Sequence, residues 1–317
     1  MTIDGTGAPR ITTSMRAVRL HAPGGPAGIR HERLDTPRPG SGEALVWVHA
    51  AAITRGELEW PVDRLPATPS YELSGVVAAV ADDVTGLTVG EPVYALTGFD
   101  RDGAAADYAI VRADFLAPKP RTIGHVKAAA IPLAGLSAWQ GLFDHGNLTG
   151  GQRVLIHGAA GGVGSFAVQL ADARGAHVIG TASTGRVEAV RELGADEVVD
   201  HTRVRFEDVV APVDLVFDTV GGDRLERSVD VVRPGGRVVS VAEEPPKERA
   251  ARRAVTALYF VVEPDRHQLL ELARLVDSGV LAPTIDKVYP LERAREAFER
   301  SLGAHGPGKI VLRVVGD

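Results

Sequence analysis

Residues 154–164 read Val-Leu-Ile-His-Gly-Ala-Ala-Gly-Gly-Val-Gly, and no other stretch restricts the possible fold as much. Val154, Leu155 and Ile156 make an apolar run of the length of a short buried strand, and the glycines that follow make a turn. From Val163 onward the apolar residues recur at helical spacing, with Phe166, Ala167, Leu170 and Ala171 on one face. Strand, glycine turn and helix in that order is the geometry that binds a dinucleotide pyrophosphate. Glycine lets the backbone approach the phosphates, and the unpaired amides of the first helical turn meet their negative charge. The spacing is Gly158-x-x-Gly161-x-x-Gly164 rather than the commoner G-x-G-x-x-G, and a tight turn in any α/β domain could use similar residues. The position between a strand and a helix favours the dinucleotide. Gly158, Ala160, Gly161, Gly162, Val163 and Gly164 are therefore the candidate pyrophosphate contacts.

The sequence around this turn repeats a βα unit. Strands are predicted over 177–181, 197–199, 213–218, 237–241 and 254–262, with helices over 186–193, 224–232 and 265–278. Such alternation implies a parallel, doubly wound sheet. The chain before it has a different texture. Runs at 15–20, 43–52, 76–80, 91–96 and 106–111 are short, strand-like and broken by Gly, Pro and Asp. The fold class expected is α/β: a mostly β domain at 15–122, a Rossmann domain at 123–263, and a segment at 264–317 whose last strand, 308–315, returns to the first domain. Residues 1–14 are polar and read as a disordered extension. At 317 residues the chain is long enough for two cores.

Composition removes several function classes. With no cysteine there is neither thiolate catalysis nor a cysteine-ligated zinc, and a cytoplasmic location is the default expectation. A net charge of −6 with acids and bases interspersed favours neither nucleic acid nor an anionic membrane as partner, and 243–253, the most charged segment, mixes both signs around two prolines. No apolar run approaches the roughly 18 residues of a membrane helix.

The order of these parts resembles the medium-chain dehydrogenase/reductase superfamily, closest to its zinc-independent quinone oxidoreductase branch. The resemblance runs through 15–20, 86–94, 128–139, 157–164, 193–196, 218–222 and 308–312. It implies a GroES-like catalytic domain, a Rossmann domain, an active site in the cleft between them, and a homodimer. Zinc-dependent relatives place Cys and His where this chain has Thr54 and Tyr71, and neither is a usual zinc ligand. The chemistry implied without zinc is hydride delivery to a quinone or an α,β-unsaturated carbonyl. A pathway-specific enoyl reductase or redox-neutral cyclase is a second reading, and an NADPH-binding sensor without turnover a third.

The cofactor expected is NADPH. An NAD-selective Rossmann domain places an acid about 20 residues after the glycine turn. Here the second strand runs into Ser183-Thr-Gly-Arg186, with no acid before Glu188. Ser183 can donate to a 2′-phosphate and Arg186 can fork two bonds onto it, although a solvated arginine at a helix start is the plainer alternative. By resemblance His201 lies against the adenosine phosphate, Ser137, Val220, Phe260 and Val261 lie near the nicotinamide, Lys309 lies near the cleft, and Trp60 and Phe99 border the substrate pocket. Tyr71 is the candidate proton donor or carbonyl anchor, and Thr54, where the branch usually has Asn, is the other candidate catalytic residue. Glu57 stands where the branch has Asp, and reads equally as an acid that ties the loop. Each of these residues has a structural alternative: a packed aromatic for Tyr71, core filling for Trp60 and Phe99, a loop histidine for His201, a strand-edge lysine for Lys309.

Overall fold

The structure, a computed structural model, describes residues 11–60, 64–303 and 306–315. These form two compact units. The first takes the described chain up to Leu133, Pro264–Ser278 and the chain from Pro283; the second takes Ala134–Glu263 and Gly279–Ala282. The first unit thus runs past the boundary expected near residue 122. The cause is small-residue packing, since Ala129 and Ala130 lie in one apolar cluster with Ala50, Ala52 and Val311. Residues 279–282 join the second unit because the Gln169 amide exchanges two hydrogen bonds with the backbone of Ala282, at 3.1 and 2.8 Å.

In chain order the first unit supplies β1 (Ser14–Leu20), β2 (Ile29–Asp35), β3 (Glu43–Ile53), β4 (Glu72–Val80), β5 (Pro92–Leu96), β6 (Tyr108–Arg112) and β7 (Ala117–Pro118). The second supplies β8 (Arg153–His157), β9 (His177–Ala182), β10 (Glu197–Asp200), β11 (Val213–Asp218), β12 (Val232–Ser240) and β13 (Thr256–Tyr259). The chain closes with β14 (Ile285–Pro290) and β15 (Lys309–Arg313) in the first unit. The expected extension at 1–14 falls mostly outside the described residues, and Ser14 already belongs to β1.

β3 is the hub of the first unit. It pairs antiparallel with β4, β6 and β15, so the returning tail lies directly on it: Ile310 faces Ile53 and Leu312 faces Ala51. Its run of buried alanines and valines is apolar on both faces, which suits a strand covered on both sides. Val46, Leu73, Val93, Phe298 and Leu312 share the cluster on one side.

The second unit is a six-stranded, wholly parallel sheet in the order β10-β9-β8-β11-β12-β13. The order reverses beside β8, and in such sheets ligands bind outside the carboxyl ends at that reversal. Leu155, Ile156, Val216 and Phe217 are fully buried, as strands covered on both faces require. Two expectations need correction here. The helix expected over 224–232 is a helix at Asp223–Ser228 and one 3-10 turn, Val229–Val231, because β12 already starts at Val232. The strand expected over 254–262 is confined to Thr256–Tyr259, since past Tyr259 the backbone leaves the ladder and Glu263 is instead held by both ends of the Gln140 amide.

His157, the last residue of β8, has no exposed surface. Its ring lies 3.2 Å from Thr181 Oγ1 and 3.0 Å from Ser228 Oγ, and packs edge-on against Phe206. It thereby pins the carboxyl end of β8 to β9 and to the helix Asp223–Ser228. Burial pushes its pKa down to about 3, against an ordinary 6.5. Below pH 6.5 the unfolded chain takes up a proton that the folded chain refuses, so this histidine removes about 1.4 kcal/mol of stability per pH unit as the pH falls. The stability of wild type relative to His157→Gln should therefore be constant above pH 7 and drop between pH 6.5 and 4.5, as read by thermal unfolding. A difference independent of pH would show that His157 takes no part in the acid sensitivity.

Candidate active site

The turn after β8 has the shape that a phosphate cradle needs. Gly158 has φ +71°, and a Cβ there would lie 2.6 Å from Thr219 Oγ1. A Cβ on Gly164 would lie 2.1 Å from the Gly158 carbonyl oxygen, so the helix Gly162–Ala173 can start this close to the strand only with glycine. Gly161 caps that helix without any side-chain hydrogen bond, and Gly161, Gly162 and Val163 are partly exposed. The first-turn amides are thus open to an external acceptor, and this backbone fits a pyrophosphate. Ala160 is buried and lines the turn from beneath.

The neighbouring turn carries the residues expected to meet an adenosine 2′-phosphate. Ser183 caps the 3-10 turn Thr184–Arg186, and the Arg186 amide donates to the Ser183 carbonyl at 2.8 Å. The His201 amide donates to the Ala182 carbonyl at 3.1 Å, which sets the imidazole beside the end of β9. Two residues at this corner escaped the sequence reasoning. Arg224 brings its Nη2 to 3.3 Å from His201 Nδ1, and the only sequence signal for it was an arginine just past the Gly221-Gly222 turn. Asp200 enters from β10, in register with Ala182. Its charge is engaged by the hydroxyls of Thr184 and Thr202 at 2.5 and 2.6 Å and by Arg203 at 3.4 Å.

The loop after β11 is set by Asp218. Its buried carboxylate accepts from the amides of Val220 and Gly221 and from Ser240 Oγ, at 3.3, 2.9 and 3.0 Å. Val220 is left exposed, as is Val261, whereas Phe260 is buried against the ring of His145 at 4.4 Å. Ser137 is buried in the helix Pro132–Trp139.

In the first unit Tyr71 is buried against two half-exposed aromatic rings. Trp60 stacks on it at 5.9 Å and Phe99 meets it edge-on at 5.1 Å. The three expected residues therefore form one aromatic cluster, and burial raises the Tyr71 pKa above its ordinary value. Beneath it lies a set of buried ionisable groups. Glu57 accepts from the Thr54 amide at 3.0 Å and from the Ser70 amide at 3.1 Å, which ties the loop after β3 to the residue preceding Tyr71. Ser70 itself is fully buried at φ +67°, a conformation that carries backbone strain for a non-glycine residue. Burial raises the Glu57 pKa to about 8, so its carboxyl stays protonated through neutral pH.

Lys309, expected near the cleft, is almost wholly buried within this unit. Its Nζ lies 2.5 Å from Glu72 Oε1 and donates to Thr54 Oγ1 at 3.1 Å, while Glu72 Oε2 accepts from the Leu133 amide at 2.9 Å. The signal available in the sequence was a charge inside each of two apolar strands, since a buried charge requires an opposite partner.

Residues 193–312 match a family model described as a zinc-binding dehydrogenase, and residues 40–121 one described as an alcohol dehydrogenase GroES-like domain. Over 296 residues the chain is 36% identical to 2-methylene-furan-3-one reductase of Solanum lycopersicum, covering 86% of this chain and 72% of that protein. The chain belongs to the medium-chain dehydrogenase/reductase superfamily. Another relative in this superfamily is the chloroplastic NADPH-dependent alkenal/one oxidoreductase of Arabidopsis thaliana, 34% identical over 85% of this chain and 72% of that protein. The solved quinone oxidoreductase of Coxiella burnetii superposes with a TM-score of 0.90 at 30% identity, covering 95% of this chain and 100% of that one. The first family model's name raises the question of zinc, and the residues here do not fit it. Thr54 and Tyr71, where the resemblance expects metal ligands, are not usual zinc ligands, and among the described residues no group of three His, Cys, Asp or Glu side chains could hold a metal ion.

Proposed function

We propose that the protein is an NADPH-dependent, zinc-independent oxidoreductase that delivers hydride to a quinone or to the β-carbon of an α,β-unsaturated carbonyl. The observation that carries this reading is the combination, in one chain, of a dinucleotide cradle at Gly158–Gly164 with hydroxyls at the superfamily's metal-ligand positions. The names of the tomato, Arabidopsis and Coxiella relatives support the same acceptors, and that of the Arabidopsis relative the same cofactor.

When bound, NADPH supplies the hydride from its nicotinamide ring. The amides of the first helical turn from Gly162 hold the pyrophosphate, and Ser183 and Arg186, with His201 alongside, hold the 2′-phosphate. Ser137, Val220 and the backbone of Phe260 and Val261 are assigned to the nicotinamide end. Trp60 and Phe99 offer ring faces and edges to a flat conjugated substrate. Tyr71 donates the proton that an enone needs at its α-carbon, whereas a reduced quinone can take its protons from water. The reading includes a cytoplasmic setting, where NADPH is kept reduced, and a homodimer. Supporting the dimer, β13 is an edge strand of the six-stranded sheet, with Tyr259 on it and Val261 just beyond it exposed.

NADPH oxidation measured against a panel of naphthoquinones, enals and enoyl thioesters tests the reading. Turnover with the quinones and enals is expected, with Tyr71→Phe slowing the enals at least tenfold and sparing the quinones. No NADPH consumption with any acceptor would overturn the reductase and leave the redox-neutral cyclase and the cofactor-binding sensor. Arg186→Glu should weaken NADPH binding by about 100-fold, from a lost charge-assisted pair and a new repulsion, and NADH binding less than threefold. Equal losses in a fluorescence titration would dismiss the phosphate role of Arg186.

A further inference from the structure

The hydroxyl of Thr54 and the buried pair behind it are arranged to receive negative charge. An ammonium has only protons to give, so in the 3.1 Å contact with Lys309 the Thr54 oxygen is the acceptor. The single proton on that oxygen must then point elsewhere, and no described residue accepts it. Thr54 is the partly exposed member of the group, whereas Lys309, Glu72 and Glu57 are buried. A hydroxyl that accepts from a cation in a low-dielectric surrounding becomes a stronger donor on its other side.

The surroundings hold this hydroxyl still. Thr54 is fixed through its amide on Glu57 at 3.0 Å, and the ammonium through Glu72, which is itself anchored on the Leu133 amide. Glu72 balances Lys309, so the donor is polarised without a net charge being sealed inside. We infer that Thr54 donates to the carbonyl oxygen of the acceptor, and that Lys309 and Glu72 are positioning residues that orient and strengthen that donation. The inference rests on the hydride-transfer reading above. When hydride reaches the β-carbon of an enone or the ring of a quinone, the electron pair displaced from the C=C bond moves onto the carbonyl oxygen. A donor held at that oxygen acts where charge develops, and loss of one such donor lowers turnover about 100-fold or more. Unlike the Tyr71 proton, this donation serves enones and quinones alike.

A double-mutant cycle on the whole chain tests the inference, with kcat measured at saturating NADPH on an enal and on a naphthoquinone. The variants are Thr54→Val, the paired replacement Glu72→Gln with Lys309→Met, which removes both charges together, and all three substitutions combined. Thr54→Val and the paired replacement should each lower kcat about 100-fold on both acceptors, with the NADPH dissociation constant within twofold of wild type. The combined variant should be no slower than Thr54→Val alone, and Thr54→Ser should keep kcat within a few-fold of wild type. Three results overturn the inference: multiplicative losses in the combined variant, an unchanged kcat in the paired replacement, or a loss confined to NADPH affinity, which would return Lys309 to the cofactor. If the paired replacement does not fold, Thr54→Val and Thr54→Ser decide alone: equal kcat for the two sinks the donor, and a 100-fold gap upholds it. A wild-type chain that oxidises no NADPH with either acceptor overturns the functional reading itself, a result distinct from any of these.

Discussion

A lysine ammonium sealed against a glutamate is the interaction on which the first unit depends. Lys309 comes from the last strand and Glu72 from the start of β4, and β3 lies between them, paired with both strands. Removing one member of such a buried pair typically destabilises by about 3–5 kcal/mol, because the other charge is left without a partner in low dielectric. That penalty favours the register in which β15 returns to β3, and with it the place of Thr54 just past the end of β3. The local order around the aromatic cluster follows: Glu57 binds the amides of Thr54 and Ser70, and Ser70 in its strained conformation aims the chain into Tyr71.

The second unit uses a different constraint, which is closeness of backbone. Gly164 packs where any Cβ would collide with the Gly158 carbonyl, and His157 locks the end of β8 to its neighbours through two hydroxyls. Rigid glycine geometry above and a buried imidazole below leave Gly162 and Val163, at the start of the helix, partly exposed. Charge appears only farther along, where Arg186 and Arg224 stand near the end of β9 and Asp200 is engaged by hydroxyls and Arg203.

Much of this was legible in the chain itself. The strand–turn–helix at 154–164 and the alternating strands after it follow from period and glycine placement, because each depends on neighbours in sequence; the return of 308–315 to the first unit is expected instead from its place after the last βα unit. The polar groups were harder to read. The ion pair of Lys309 is not legible in sequence, which shows a charge but not its partner, and Glu72 lies 237 positions away. Asp200 and Arg224 were missed for the same reason: the parallel sheet brings β10 and the residues after β11 beside the end of β9, and no local pattern records that adjacency. Strand ends such as that of β13 were misjudged because apolar composition continues past the point where pairing stops, at Tyr259.

The proposed reading assigns the helix-start amides of the second unit to the cofactor, and the aromatic rings and Thr54 hydroxyl of the first unit to the acceptor. The central claim is that a hydride passes to conjugated carbon without help from a metal. Its most direct test uses NADPH deuterated at the transferable position of the nicotinamide, with an enal as acceptor and the product examined by NMR. The account predicts one deuterium at the β-carbon of a saturated aldehyde, unchanged when the protein is first treated with a chelator. Deuterium at the carbonyl carbon of an unsaturated alcohol, or activity lost with the chelator and restored by zinc, would contradict it.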